Sequence, residues 1–248
     1  MEKLTPKQQI VVDGCVDFLN SGDRGYKVIA GYAGTGKTTV IQSIVDSVYG
    51  GSISALCGKA VDRLKKKGVS SATTIHKAIY DFDGNRKRFH LKPSLPCKYR
   101  IIDEGSMVGS KLWKDERSFN LPTLIFGDPF QLPPVADADI GLMEEPDYFL
   151  DEIIRQELDN PIVALATEIR QRRWDPTPFV DNNCDIMWPD VIVTGYKRTK
   201  DAVNNNVRKA KGFKGDVSVG DKLRCLTNKP EQGTFNGSVF TVLDKTPS

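Results

Sequence analysis

The chain has 248 residues, of which 39% are hydrophobic and 27% are charged, and its formal net charge is +3. This composition is typical of an ordinary globular protein and excludes a disordered chain. At about 100–200 residues per domain, the length allows one large domain or two modest ones. The small positive charge is compatible with nucleic-acid binding but is too weak to argue for it.

The apolar runs and the cysteines indicate the cellular compartment. No apolar run approaches the roughly 20 residues that span a bilayer, and MEKLTPKQQ at the start lacks the apolar core of a signal peptide. We therefore expect a cytoplasmic protein that has no membrane partner. The five cysteines are odd in number and form no C-x-x-C pair, which fits reduced thiols and argues against a zinc site.

Helices and strands are predicted to alternate over the first 130 residues. An amphipathic helix follows the cap residue Thr5, with Pro6 at its first position. Its apolar face is predicted to consist of Ile10, Cys15, Phe18 and Leu19. Buried strands are predicted at YKVIAG, SISAL, YRIID and PTLIFGD, and helices at residues 37–49, KAVDRLKKKG, TTIHKAIYDF and SKLWKDERSF. The alternation indicates an α/β fold with a parallel sheet covered by helices, and residues 81–98 form an exposed excursion.

A second organisation is predicted to begin near YFLDEIIRQ. It contains the helix NPIVALATEIRQRR, the strand DVIVTGY and the helix TKDAVNNNVRKAKG, which ends at Gly212. Short strands punctuated by glycine and Asn-Gly follow, and they indicate a small β element. The predicted domains are therefore residues 1–148, 149–212 and 213–248.

The strongest local motif is G-x-x-x-x-G-K-T at residues 31–38, between a predicted strand and a predicted helix. Such a P-loop turns its backbone N–H groups inward, so that they hold phosphate oxygens at a helix N-terminus. Lys37 would place its charge on the β- and γ-phosphates of ATP, and the Thr38 hydroxyl would bind Mg²⁺. The nucleotide contacts are predicted at Gly31, Ala33, Gly34, Thr35, Gly36, Lys37, Thr38 and Thr39. The alternative is a plain glycine-rich turn before a helix.

A P-loop also needs a carboxylate on the metal side, and we expect it from a neighbouring strand. In YRIIDEGS, Asp103 and Glu104 follow an apolar strand at its C-terminal end, where ligands of open α/β sheets bind. Asp103 would hold Mg²⁺ through water, and Glu104 would orient and deprotonate the attacking water. Without the P-loop, the same pair would be read as two solvated acids at a strand end.

The stretch LIFGDPFQLPPV begins as a buried strand and ends at two prolines that exclude a helix. We expect this strand to lie beside the Asp103 strand, so that its exit loop faces the γ-phosphate. Gln131 could then hydrogen-bond the γ-phosphate or the attacking water and lose that partner on hydrolysis. The alternative is a surface glutamine in a proline-rich loop.

The order of these motifs resembles one known family. GYAGTGKTT, IIDEGSM and GDPFQLPPV are similar to the nucleotide-site motifs of superfamily-one helicases, and most of all to the RecD-like and phage Dda-like branch. That branch moves 5′ to 3′ on single-stranded DNA. The resemblance implies a RecA-like fold, ATP and Mg²⁺ as cofactors, single-stranded DNA as partner, and a bacterial or phage-infected host cytoplasm.

Further segments extend the resemblance. LTPKQQ is similar to the family's adenine-contacting motif, which implies that Gln8 contacts the base, although Thr5 and Gln8 also satisfy a helix capping box. ALCGKAV resembles a DNA-contacting motif and implies that Lys59 lies near the DNA backbone, although Cys57 stands where that motif usually has Thr. ATTIHKAI implies DNA contacts by Thr74 and His76, whereas a lone helical histidine is more often structural.

The later part of the chain resembles the start of the second motor domain. IIRQELDNPIVALATEIR implies that Arg155 reaches the γ-phosphate as an arginine finger. GTFNGSVFTV resembles a small β-barrel inserted in an incomplete second RecA-like domain, and a separate chain could supply the missing motor half. One alternative function is a nucleotide- and DNA-binding module that cannot translocate. Another is a P-loop kinase acting on a small molecule.

Overall fold

The computed structural model describes residues 3–84, 88–135, 137–153, 165–166, 168–169, 185, 187, 189, 191–226, 234 and 237–244. The chain folds into two compact units, residues 1–170 and 171–248. The helices of the first unit include α1 (Pro6–Asn20), α2 (Lys37–Ser47), α3 (Gly58–Lys66), α4 (Ile75–Ile79) and α5 (Ser110–Arg117), with a 3₁₀ turn at Gly105–Met107. Its strands are β1 (Tyr26–Gly31), β2 (Gly51–Ala55), β3 (Thr73–Thr74), β4 (Tyr80–Asp83), β5 (Arg88–Leu91), β6 (Tyr99–Asp103), β7 (Thr123–Gly127) and β8 (Tyr148–Leu150).

Six of these strands form one parallel sheet in the order β3-β2-β6-β7-β1-β8. This confirms the α/β parallel sheet, and β7 does pair with β6 as expected. One expectation was wrong, because β7 separates the Asp103 strand from the P-loop strand β1. β6 and β7 carry apolar side chains on both faces, and both strands are buried along their whole length, as a sheet covered by helices requires.

Helix α1 packs on the sheet core with a face that differs from the predicted one. Val11, Cys15 and Phe18, which follow the helical repeat, are buried. Ile10 was assigned to this face, but it is 64% exposed, because it lies about 100° around the helix from Val11. The cap at Thr5 is confirmed, since its hydroxyl accepts the Gln8 N–H at 3.2 Å.

The sequence predicts one helix over TTIHKAIYDF, but the structure shows a short strand, a short helix and the start of a second strand. The β-branched Thr73 and Thr74 pair with Ser54 and Ala55 at the sheet edge, and the helix α4 that follows has only five residues. The chain then enters a two-stranded antiparallel hairpin, β4–β5. The exposed excursion therefore contains regular structure.

The second unit contains α6 (Lys197–Ala210), and β9 (Lys222–Arg224) pairs antiparallel with β10 (Val239–Thr241). The helix and the small β element confirm two predictions. The predicted strand DVIVTGY is wrong over residues 191–196, where no strand is described and Val191 and Val193 are exposed. A parallel strand is stable only when its faces are covered, and these side chains are not.

The predicted division at residues 148 and 212 stays a prediction, although β8 carries the first sheet past residue 148 through its pairing with β1. The helix predicted at NPIVALATEIRQRR lies mostly outside the described residues. Within the described ranges, we find no helix with the length and apolar character needed to cross a bilayer.

Candidate functional site

The P-loop connects the C-terminal end of β1 to the start of α2. Gly34 and Gly36 have φ angles of 87° and 80°, in the left-handed region where an L side chain is strained, so the loop depends on glycine at both positions. Gly36 caps α2 without a side-chain hydrogen bond, and a helix N-terminus of this kind is a favourable place for an anion. Thr38 and Thr39 lie in that turn, and Ala33 is exposed on the loop.

Lys37 is the charged residue of this loop. Its Nζ donates to the carbonyl oxygens of Gly31 at 2.6 Å and Tyr32 at 2.9 Å. Burial holds the pKa of Lys37 below its ordinary value, and the carboxylates of Asp128, Asp103 and Glu104 act in the opposite direction. The ammonium group of Lys37 thus interacts electrostatically with carboxylates that follow two adjacent strands, β6 and β7.

The acid pair consists of Asp103 and Glu104, directly after β6. The Asp103 side chain is 1% exposed, and its Oδ1 accepts the Glu104 N–H at 3.0 Å. Glu104 has φ 59° and ψ 41°, a left-handed conformation that costs on the order of 1–3 kcal/mol in a residue other than glycine. Its Oε2 is buried and accepts no hydrogen bond from any described residue. Glu104 therefore combines a strained backbone with a carboxylate oxygen that has no partner among the described residues.

Arg63 on α3 contacts both members of the acid pair, and no motif in the sequence predicts this contact. Its Nη2 donates to Asp103 Oδ2 at 3.0 Å and to Glu104 Oε1 at 2.8 Å. These two carboxylates raise the pKa of Arg63 above its ordinary value, against the opposing effect of its own partial burial. In the sequence, only its position one helical turn after Lys59 could have indicated a role at this edge of the sheet.

The Gln131 loop leaves the sheet directly beside the acid pair. Asp128 is buried, and its Oδ1 accepts the Phe130 N–H at 3.0 Å, while its carbonyl oxygen accepts the Gln131 N–H at 3.1 Å. The Phe130 ring lies 5.8 Å from the ring of Tyr32 in the P-loop. Gln131 itself is exposed, and its sensor role stays a prediction. No sequence pattern indicates a role for Asp128, although its carboxylate acts electrostatically on Lys37.

Gln8 is 3% exposed and uses both ends of its amide within the chain. Its Oε1 accepts the Thr5 N–H at 3.0 Å, and its Nε2 donates to the P-loop carbonyl oxygen of Thr35 at 3.1 Å. The capping box is thus present, and Gln8 also connects α1 to the P-loop. Contact with an adenine base stays a prediction.

The three candidate DNA contacts lie on neighbouring elements. Thr74, directly before α4, pairs with Ala55 at the end of β2, and α3 follows β2 in the chain. Lys59 is exposed on α3. The Thr74 hydroxyl caps α4 by accepting the Lys77 N–H at 3.3 Å, and the exposed ring of His76 lies 5.8 Å from that of Tyr80. Arg155, the predicted arginine finger, lies outside the described residues.

Residues 3–177 of the chain match the family model described as AAA domain. The chain belongs to the AAA domain family. It is also similar to the ATP-dependent DNA helicase dda of Enterobacteria phage T4, with 29% identity over 175 residues that cover 62% of this chain and 40% of the relative. A second relative is the ATP-dependent DNA helicase RRM3 of Saccharomyces cerevisiae, with 26% identity over 82% of this chain and 33% of RRM3.

Solved structures of Pif1 helicases share the fold of this chain. A structure of two coordinating Pif1 helicases at forked double-stranded DNA has a TM-score of 0.68 and 17% identity, and the match covers 99% of this chain and 72% of that one. Bacteroides Pif1 in complex with ADP-AlF3 and single-stranded DNA has a TM-score of 0.63 and 18% identity, over 100% and 71% of the two chains. The chain spans about two fifths of the length of dda and one third of the length of RRM3. These comparisons confirm the resemblance to superfamily-one helicases.

Proposed function

We propose that this chain is the ATP-hydrolysing part of a DNA helicase that moves 5′ to 3′ along single-stranded DNA. The observation that carries the proposal is the convergence at one sheet edge, where the P-loop follows β1, Asp128 follows β7, and Asp103 and Glu104 follow β6, in adjacent parallel strands. A cation at a phosphate-binding loop, beside an acid with a free oxygen, suits attack of water on a terminal phosphate. The relatives named above, which are ATP-dependent DNA helicases, support it.

ATP would bind with its phosphates on the P-loop N–H groups. Lys37 would then exchange the carbonyl oxygens of Gly31 and Tyr32 for the β- and γ-phosphates. The Thr38 hydroxyl and the Asp103 carboxylate offer the oxygen ligands that Mg²⁺ prefers, and both lie at this edge. When bound, Mg²⁺ would neutralise charge on the phosphates.

Glu104 would orient the attacking water and take its proton on Oε2, the oxygen that has no partner among the described residues. Gln131 would report the loss of the terminal phosphate, and Arg155 would reach the same phosphate as an arginine finger. Gln8 would contact the base while its amide supports Thr35.

Single-stranded DNA would contact Lys59, Thr74 and His76. ATP drives movement only if it binds a closed arrangement of the motor better than an open one. A separate chain could supply further motor segments. Because phosphate contacts dominate such binding, DNA affinity should fall with salt. We place this activity in the cytoplasm of a bacterial or phage-infected cell.

The test is ATP hydrolysis by the full chain with and without single-stranded DNA, followed by an unwinding assay on a duplex with a 5′ tail. Stimulated hydrolysis with unwinding supports the motor. Nucleotide binding with neither leaves the binding module. Hydrolysis that no nucleic acid affects points to a P-loop enzyme that acts on a small molecule.

A further inference from the structure

Arg63 makes contacts that the proposed reaction does not yet use. It lies 40 residues before Asp103 in the chain, and its side chain is 46% exposed, whereas those of Asp103 and Glu104 are 1% and 13% exposed. One guanidinium nitrogen, Nη2, donates to both acids. An exposed helix residue thus extends into a buried pair and touches both members.

The contacts of Arg63 decide which oxygens of the acid pair are free. Arg63 donates hydrogen bonds to Asp103 Oδ2 and Glu104 Oε1, and the Glu104 N–H donates to Asp103 Oδ1. The remaining oxygen, Glu104 Oε2, is the buried atom that accepts no hydrogen bond from the described residues. Arg63 therefore fixes the orientation in which Glu104 presents its free oxygen.

Arg63 also connects the acid pair to the surface of α3. Lys59 is four residues earlier, so the two side chains project from the same face of the helix one turn apart. The opposite face, with Ala60, Val61 and Leu64, packs into the core, so α3 moves as a unit with what it contacts. A ligand held at Lys59 and the acid pair held by Arg63 share one rigid element.

We propose that Arg63 is a positioning residue through which α3 controls the acid pair, so that single-stranded DNA bound at Lys59 changes ATP hydrolysis by changing the orientation of Glu104. This inference rests on the proposed function of the same site. The proposal includes an effect on nucleotide affinity as well as on the rate, and DNA and nucleotide must then alter each other's affinity by the same factor, because coupling between two binding sites is reciprocal.

The first experiment compares Arg63→Ala, Arg63→Lys and the control Lys66→Ala, an exposed lysine in the last turn of the same helix. ATP hydrolysis is measured with and without a thymidine oligonucleotide, and affinity is measured with a fluorescent ADP analogue. We expect Arg63→Ala to lower the DNA-stimulated kcat about 10–100-fold, the usual effect of losing a residue that orients a ligand. ADP affinity should stay within about threefold, since Arg63 touches the acids and not the P-loop.

Arg63→Lys separates charge from geometry. Lysine keeps the positive charge but is a point charge on a flexible stem, so it cannot hold both acids as the planar guanidinium does. We expect it to restore only part of the kcat. Lys66→Ala should match the unmodified chain. If Arg63→Ala lowers the melting temperature, Arg63→Lys carries the comparison.

The second experiment needs no catalysis. The Kd of the oligonucleotide is measured with and without a non-hydrolysable ATP analogue, in the unmodified chain, Lys59→Ala, Arg63→Ala and the double variant. We expect the ratio of the two Kd values to move towards one in Arg63→Ala, and the double variant to lose no more coupling than either single variant.

Unchanged kcat together with an unchanged Kd ratio in Arg63→Ala would overturn the inference. The same holds if the unmodified chain binds both ligands without coupling. Unchanged values in Arg63→Ala leave the proposed function intact, provided that DNA stimulates ATP hydrolysis by the unmodified chain. An unmodified chain that binds both ligands without coupling counts against the proposed motor as well. A chain that binds no nucleotide at all would instead remove the proposed function, and this inference with it.

Discussion

The charged residues at the two ends of strand β6 differ in how completely they are hydrogen-bonded. At its start, Arg100 is fully buried, and its guanidinium donates to both carboxylate oxygens of Glu116 and to the hydroxyls of Ser52 and Ser54. At its end, Asp103 and Glu104 share one half-exposed arginine, and one carboxylate oxygen accepts nothing from the described residues.

The two ends differ in how completely their polar groups are satisfied. A buried polar atom without a partner costs about 1–3 kcal/mol, and the left-handed backbone of Glu104 adds to that cost. At the Arg100 end, the sequence supplies partners from two other elements. At the Glu104 end the strain remains, as expected where an acceptor is kept for a substrate.

The largest effect is expected from Lys37→Ala. It removes the charge that faces the acids and the terminal phosphate, so ATP hydrolysis should fall below detection. Phosphate release measures the loss, and circular dichroism should show an intact fold, because the contacts of Lys37 stay within its own loop. Hydrolysis at the unmodified rate would remove Lys37 from the mechanism.

Glu104→Gln tests the free oxygen at the end of β6. Glutamine keeps the shape of the side chain but cannot accept the proton of the attacking water. Single-turnover hydrolysis should slow by about 10²–10⁴, the usual value of general-base assistance, while a fluorescent ATP analogue still binds. An unimpaired rate would place the base on another residue.

Glu116→Ala tests the opposite end of the same strand. It leaves the Arg100 guanidinium buried without its carboxylate, and breaking such a pair costs about 3–5 kcal/mol. Denaturant unfolding should show a smaller free energy of unfolding, and the melting temperature should fall accordingly. A change below about 1 kcal/mol would mean that water replaces Glu116, and the contrast between the two ends would weaken.

Gln131→Ala should weaken the stimulation of ATP hydrolysis by DNA more than it weakens nucleotide affinity. If Gln131 reports the terminal phosphate, its loss should remove most of the stimulation of hydrolysis by DNA. Nucleotide affinity should change much less. The ratio of stimulated to basal hydrolysis is the measurement, and a variant that loses affinity alone would exclude a sensor role.

The structural features that could be predicted from the sequence depend on residues that lie close together in the chain. The buried strands are short apolar runs, and the P-loop places its glycines, Lys37 and Thr38 within eight residues. Thr5 and Gln8 form the capping box from a three-residue spacing alone. Local physical chemistry decides each of these.

The parts that were missed depend on partners that are distant in sequence. Arg63 has the sequence context of a solvated helix charge, and only the pairing of β2 with β6 places its helix beside the acids. Thr73 and Thr74 became a strand because the edge of β2 was available to pair with them. Ile10 is predicted on the apolar face of α1 from its apolarity, but the packing of α1 against the sheet buries Val11 and Val12 and leaves Ile10 exposed, while Leu19 packs against the core as predicted.

The central claim is that Lys37, the acid pair and the Gln131 loop meet at the terminal phosphate of one nucleotide. A crystal structure of the chain with ADP, Mg²⁺ and aluminium fluoride tests this most directly. We predict that Lys37 Nζ leaves the carbonyl oxygens of Gly31 and Tyr32 and contacts the fluoride, with Glu104 on its opposite side. A bound nucleotide with Lys37 still on those two oxygens, and Gln131 directed away from the fluoride, would contradict the account.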